Sequence, residues 1–156
     1  MPHHWGPNAV NQESDIKVSV IMPAFNVEKP IARTLEACLA QDFPRDKFEI
    51  IVVDDGSKDA TKDIVAQFAD VVYIHQENAG AAAARNRGAQ SARGEILLFI
   101  DADCIYPLNA IQALVDALED CHELGIVSAI YAPTPELPLI ASCLNEEIRF
   151  RHLRLP

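Results

Sequence analysis

The chain has 156 residues, 49% hydrophobic and 23% charged, enough to bury the core of one domain and ordinary for a globular chain. Its 23 acidic and 13 basic residues give a formal net charge of −10. That balance repels a phosphate backbone, which excludes nucleic acid as a partner, and a phosphate ligand at an acidic site needs a cation between the two.

Residues 1–15 are polar, carry no apolar stretch of the signal-peptide kind, and read as a flexible leader. Lys17-Val-Ser-Val-Ile-Met22 is apolar and β-branched, as a buried strand requires. Pro23 then ends this strand, since proline cannot donate to a sheet. Pro30 opens a helix with Ile31, Leu35, Cys38 and Leu39 on one face. Glu49–Val53 forms a second strand. Ser57 caps a second helix, with Ala60, Ile64, Val65 and Phe68 facing the core. Val71–His75 is a third strand, and Asn78-Ala-Gly80 turns into an alanine-rich helix over Ala81–Ser91. Glu95–Ile100 is a fourth strand. Pro107 opens a helix with Ile111, Leu114, Val115 and Leu118 inward. A short fifth strand follows at Ile126–Ala129, then a proline loop (Pro133, Pro135, Pro138) and a terminal helix over Leu139–Leu153.

Strands alternating with helices specify an α/β fold, a mostly parallel sheet flanked by helices on both faces. Ligands of such sheets bind beyond the carboxyl ends of the strands. Four polar clusters fall there: Pro23-Ala24-Phe25-Asn26, Asp54-Asp55, Asn78-Ala-Gly80 and Asp101-Ala-Asp103.

In an extended segment Asp101 and Asp103 point the same way, with Ala102 turned toward the protein. Two carboxylates so close repel unless a cation or proton intervenes, and Mg²⁺ or Mn²⁺ suits one or two carboxylates plus substrate phosphates. The competing interpretation is a pair of helix-capping aspartates ahead of Pro107. Asp54-Asp55-Gly-Ser57 serves as a turn, but a carboxylate there can also accept from a ribose hydroxyl or a base N–H. The helix after Gly80 offers free N–H groups to an anion, with Arg85 in its second turn able to reach a phosphate or a base. The histidines do not cluster, which argues against a histidine metal site. Neither GxGxxG after strand one nor GxxxxGK[ST] occurs. Cys38, Cys104, Cys121 and Cys143 are too far apart for a CxxC pair and read as reduced thiols.

Val20–Asn26, Ile51–Ser57, Asn78–Gly80 with Ala84–Gly88, and Gly94 through Asp103 occur in an order that resembles the family 2 inverting glycosyltransferases of the GT-A fold, across roughly 18–127. The resemblance implies a nucleotide-diphosphate-sugar donor, commonly UDP-linked. Pro23, Ala24 and Asn26 would line the nucleoside pocket. Asp55 would contact the base with Asp54 beside it, and Arg85 would sit near the base or phosphates. Asp101 would lie near the ribose or the metal's water shell, and Asp103 would be the direct ligand of a Mn²⁺ or Mg²⁺ bridging to the diphosphate. In this family the base that deprotonates the acceptor hydroxyl lies well downstream of the DxD. Glu146 and Glu147 are adjacent acids near the end, but a helical face explains them and neither is assigned as base.

The organisation expected is therefore a leader over 1–15, a nucleotide-sugar-binding α/β domain over 16–132, and a loop and terminal helix over 133–156 that begin an acceptor region the chain does not contain. The acceptor expected is a glycan or lipid hydroxyl, and the location the cytoplasm or its membrane face. Ile140, Leu144 and Ile148, with Arg149, Arg151 and Arg154, either pack on the domain, which we favour, or lie on a membrane surface. Two rival functions stand beside transferase activity: a non-catalytic nucleotide-binding remnant, and a nucleotidyltransferase. The latter calls for a glycine-rich basic loop after strand one, which Pro23–Asn26 is not.

Overall fold

A computed structural model describes residues 15–119. The expected leader (apart from Asp15), fifth strand, proline loop and terminal helix, with Glu146, Glu147 and the arginines beyond them, lie outside these residues.

Four strands form one parallel sheet: β1 (Val18–Ala24), β2 (Phe48–Asp54), β3 (Val71–His75) and β4 (Ile96–Phe99). Their order is β3-β2-β1-β4. The chain therefore steps from β1 to β2 to β3 in one direction and then crosses back to pair β4 with the other side of β1. With right-handed connections, that reversal puts the last crossover helix on the opposite face from the first two. The helices are α1 (Ile31–Leu39), α2 (Thr61–Val65), α3 (Ala81–Ser91) and α4 (Ala110–Glu119).

α3 lies over β1 and β2. Ile51, Val53 and Ala84 form the buried cluster between them. Gly88 is required for this contact, because a Cβ there would come within 2.4 Å of Ile21 Cγ2 and 3.2 Å of Val53 Cγ2. On the other face, Val18, Val20, Met22, Phe48, Ile50 and Val52 are buried, and α1 and α2 pack on one another. Ile31, Thr34, Leu35 and Cys38 form the buried stripe of α1, so a threonine joins the expected apolar face.

β1 continues through Pro23 to Ala24 and does not stop before it. Alternation along the strand explains this. Ile21 O accepts from Ile100 N on the β4 side, while Ala24 O accepts from Asp55 N on the β2 side. Pro23 shares the orientation of Ile21 and faces the side that β4 has already left after Phe99, so no ladder bond is lost there. α2 is also shorter than its apolar spacing suggests, and Ser57 makes no capping bond to it; Ala60 precedes its first residue.

A polar anchor closes the opposite end of the sheet. Ser19 Oγ donates to Glu49 Oε1 at 2.7 Å and accepts from Gly94 N at 2.8 Å. Arg93 completes it through its main-chain N–H to Glu49 Oε1 at 2.7 Å and its side chain to Oε2 at 2.9 Å. Burial raises the Glu49 carboxyl, but the bonds from Ser19 and Arg93 outweigh it and hold the group below the ordinary carboxylate range. Among the described residues no helix is long and apolar enough to cross a membrane.

Candidate functional site

The reversal of strand order opens a crevice between the carboxyl ends of β1 and β4, where open α/β sheets bind ligands. A cavity of about 400 Å³ lies there. Its walls come from the segment after β1 (Pro23, Ala24, Phe25, Val27), Asp55 after β2, Asn78, Gly80, Ala81 and Arg85 at the start of α3, and Asp101, Ala102 and Asp103 after β4. The volume falls within the range of about 300–1,000 Å³ usual for small-molecule sites.

Asp55 fixes one wall. Its Oδ1 accepts from Gln76 Nε2 at 2.7 Å and from Ala79 N at 2.8 Å, and its Oδ2 from Gly80 N at 2.8 Å. Asn78 Nδ2 donates to the Asp55 carbonyl at 3.1 Å. Gly80 has φ +91°, a conformation glycine adopts readily, and it sets the turn that starts α3. Burial raises the Asp55 carboxyl; the bonds from Ala79, Gln76 and Gly80 outweigh it and hold the group below its ordinary range. Three of about four acceptor positions are filled, leaving one for a ligand N–H.

Asp54 sits beside Asp55 but does not line the cavity. It is 1% exposed. Its Oδ1 accepts from Ser57 N at 2.8 Å, and its Oδ2 from the Tyr73 hydroxyl at 2.5 Å, with His75 Nδ1 3.3 Å away. Those partners hold its pKa down against the upward effect of burial. Asn26 is also turned away. It adopts φ +52°, a left-handed conformation that asparagine tolerates better than most residues. Its Oδ1 accepts from Lys58 N at 2.8 Å while its own N–H donates to Ser57 Oγ at 2.9 Å. Val27 N to Thr61 Oγ1 (3.0 Å) and Ala60 N to Glu28 Oε2 (3.0 Å) extend this stitch between the β1–α1 and β2–α2 loops. Asn26 and Asp54 thus hold the loops that carry the cavity wall.

The Asp101-Ala-Asp103 segment is a turn rather than the extended strand end expected, closed by Cys104 N to Asp101 O at 3.4 Å. Ala102 is buried nevertheless, and Asp101 and Asp103 both line the cavity. Two supports set this. Thr34 Oγ1 on α1 donates to Ala102 O at 3.0 Å. The Tyr106 hydroxyl accepts from Asp101 N at 3.0 Å. Gln41 then pins the following segment, accepting from Ile111 N at 3.0 Å and donating to Pro107 O at 2.7 Å. None of these three supports stands out in the sequence; Thr34 is detectable only as a polar residue inside an apolar helix face.

Arg85 NH2 lies 3.0 Å from Asp101 Oδ1, joining α3 to the β4 turn across the cavity. Asp103 is exposed. Among the described residues no group of three or more His, Cys, Asp or Glu is arranged to hold a metal. Asp101 and Asp103 are hard oxygen donors and too few to enclose an ion. That donor set fits Mg²⁺ or Mn²⁺, which keep waters and take further oxygens from substrate phosphates. Cys38 is buried and pushed up to about 12 by burial, so it is an inert thiol.

The family model described as Glycosyl transferase family 2 matches residues 19–154. Glycosyltransferase AglE of Haloferax volcanii is 42% identical over 92 residues, 56% of this chain and 30% of that protein. The crystal structure of S. aureus TarS 1-349 in complex with UDP superposes with a TM-score of 0.64 at 29% identity, covering 76% of this chain and 40% of that one. Mannosyltransferase PcManGT from Pyrobaculum calidifontis, in complex with GDP-Man and Mn²⁺, gives a TM-score of 0.58 at 34% identity over 64% of this chain and 31% of that one. The sheet and its helices are thus of the GT-A type. The chain spans 13–36% of the length of the curated relatives it matches.

Proposed function

The chain belongs to glycosyl transferase family 2, and from that premise we propose that its cavity binds the nucleotide diphosphate of a sugar donor, a UDP-sugar in the first instance, for transfer to an acceptor hydroxyl. The observation that carries this reading is the convergence of Asp55, Arg85, Asp101 and Asp103 on one cavity at the strand-order reversal. Relatives solved with UDP or with GDP-Man and Mn²⁺ support the ligand class.

Phe25, 49% exposed on the cavity wall, offers a flat apolar face to the base. Pro23 and Ala24 continue the nucleoside wall, and Asp55 accepts a base N–H at its free position. Arg85 and the N–H groups opening α3 face the phosphates. Asp103, with Asp101 beside it, would hold Mn²⁺ or Mg²⁺. Such a cation, when bound, neutralises charge on the diphosphate as it leaves.

The reaction proposed is direct displacement with inversion. The acceptor oxygen bonds to the anomeric carbon, the bond from that carbon to the diphosphate oxygen breaks, and the acceptor's proton passes to a general base. The cavity carboxylates are Asp55, Asp101 and Asp103, each already committed to the donor. The base is therefore sought outside this cavity.

Calorimetry of UDP binding with Mg²⁺ and with EDTA tests the reading, alongside Asp103→Ala. We expect binding to weaken at least tenfold, about 1.4 kcal/mol, in EDTA or in the variant. Equal affinity without metal would remove Asp103 from the role of ligand. A transfer assay with UDP-sugars separates a transferase from a nucleotide-binding chain that does not turn over.

A further inference from the structure

A second cavity of about 280 Å³ adjoins the first and shares Asp103 with it. Its lining is Lys29, Pro30, Arg33, Thr34, Asp103 and Ile105. Lys29 lies in the turn ahead of α1 and Arg33 in the first turn of that helix, and both line this cavity. Both are exposed, and neither makes a hydrogen bond or ion pair with another described residue.

In a chain of net charge −10, several of the described cations are engaged by other groups. Arg45 donates to main-chain carbonyls, Arg85 is engaged by Asp101, and Arg93 by Glu49. Lys29 and Arg33 on this concave surface outnumber its one carboxylate, Asp103, which favours an anion there in an otherwise repulsive field. Pro30 and Ile105, the latter 60% exposed, supply the apolar part of the lining. A phosphate, with its three acceptor oxygens, suits a lysine and an arginine together.

We propose that this second cavity is an acceptor subsite for a phosphate-bearing molecule, with the phosphate on Lys29 and Arg33 and the carbon skeleton along Pro30 and Ile105. This rests on the donor reading above, because sharing Asp103 is what puts the bound skeleton beside the donor. The phosphate can come from a soluble phosphomonoester or from a lipid headgroup, since the cations read only the shared group.

The test uses the full chain in the presence of UDP and Mg²⁺. Glycerol 3-phosphate is titrated and followed by amide and side-chain NMR. Vesicles of phosphatidylcholine, with and without phosphatidic acid, are assayed by co-sedimentation. We expect glycerol 3-phosphate to shift Lys29, Arg33 and Thr34 resonances, or phosphatidic acid to recruit the protein. The double variant K29A/R33A should lose that response by about tenfold or more while its UDP affinity stays within about twofold. Both side chains are exposed, so the variant should fold, as its NMR spectrum will report. The proposal is overturned if neither probe binds, if the shifts fall on Gly80 and Arg85, or if K29A/R33A weakens UDP as much as the phosphate probe. Failure of UDP itself to bind the native chain would count against the donor reading instead, and is read separately.

Discussion

The carboxylate of Asp55, which follows β2, accepts the main-chain N–H of Gly80, which opens α3, at 2.8 Å across 25 positions. One buried side chain therefore positions both a wall of the cavity and the helix N-terminus that lines it. Ala79 N and Gln76 Nε2 share the same carboxylate. Asp55→Ala should cost about 2–3 kcal/mol, since it strands donors that were paired with a buried charge. Urea unfolding measures this, and UDP affinity should fall in the same variant. A loss below about 0.5 kcal/mol would mean that the turn holds itself.

Arg85 and Asp101 should behave oppositely. Their ion pair is partly open to solvent, at 38% and 47% side-chain exposure. Such pairs contribute about 0–1 kcal/mol. Arg85→Ala should therefore leave the melting temperature nearly unchanged while weakening UDP. Thermal melts beside calorimetry separate the two effects. A large fall in stability with unchanged affinity would make this pair a structural brace.

Asp54 and Asp55 make stability pH-dependent with a definite sign. Both carboxyls titrate below their ordinary value in the folded chain. They bind protons more readily when unfolded, so their stabilisation is fully present above the unfolded value near about 4 and is lost as pH falls through the lower folded values. Urea midpoints should be flat in this respect from neutral pH to about 5 and drop below about 4. Asp55→Asn should flatten that drop. An equally steep acid loss in the variant would assign it to other groups.

Gly88 tests the packing of α3. Its position leaves no room for a Cβ, which would meet Ile21 Cγ2 at 2.4 Å. Gly88→Val should destabilise by about 1–3 kcal/mol through overpacking, despite the better helix propensity of valine. Chemical denaturation checks this. Unchanged stability would show that α3 can lift from β1 without cost.

The sequence by itself determined the alternation of strands and helices over the described residues. β3 and α3 occupy the spans that their residues imply, Val71–His75 and Ala81–Ser91, because local patterning and Gly80 suffice to set them. It also determined that polar clusters fall at strand ends, and with four ordered motifs that the chain is a family 2 glycosyl transferase of GT-A type. α2 departs from its apolar spacing because the loop ahead of it is held by bonds to Asn26 and Glu28, more than 30 positions away, which no local pattern contains.

Tertiary structure alone decided which members of each cluster face the cavity. Asp54 and Asp55 are adjacent and chemically identical, yet Tyr73 and Ser57 hold one inside while the other meets the crevice. Asn26 accepts Lys58 and leaves the wall to Phe25. Strand order was equally invisible, because periodicity records burial and not neighbours. The crevice exists only because β4 pairs with β1 instead of β3. That pairing brings Asp101 to Arg85 in one cavity, and puts Asp103 in a second cavity with Lys29 and Arg33.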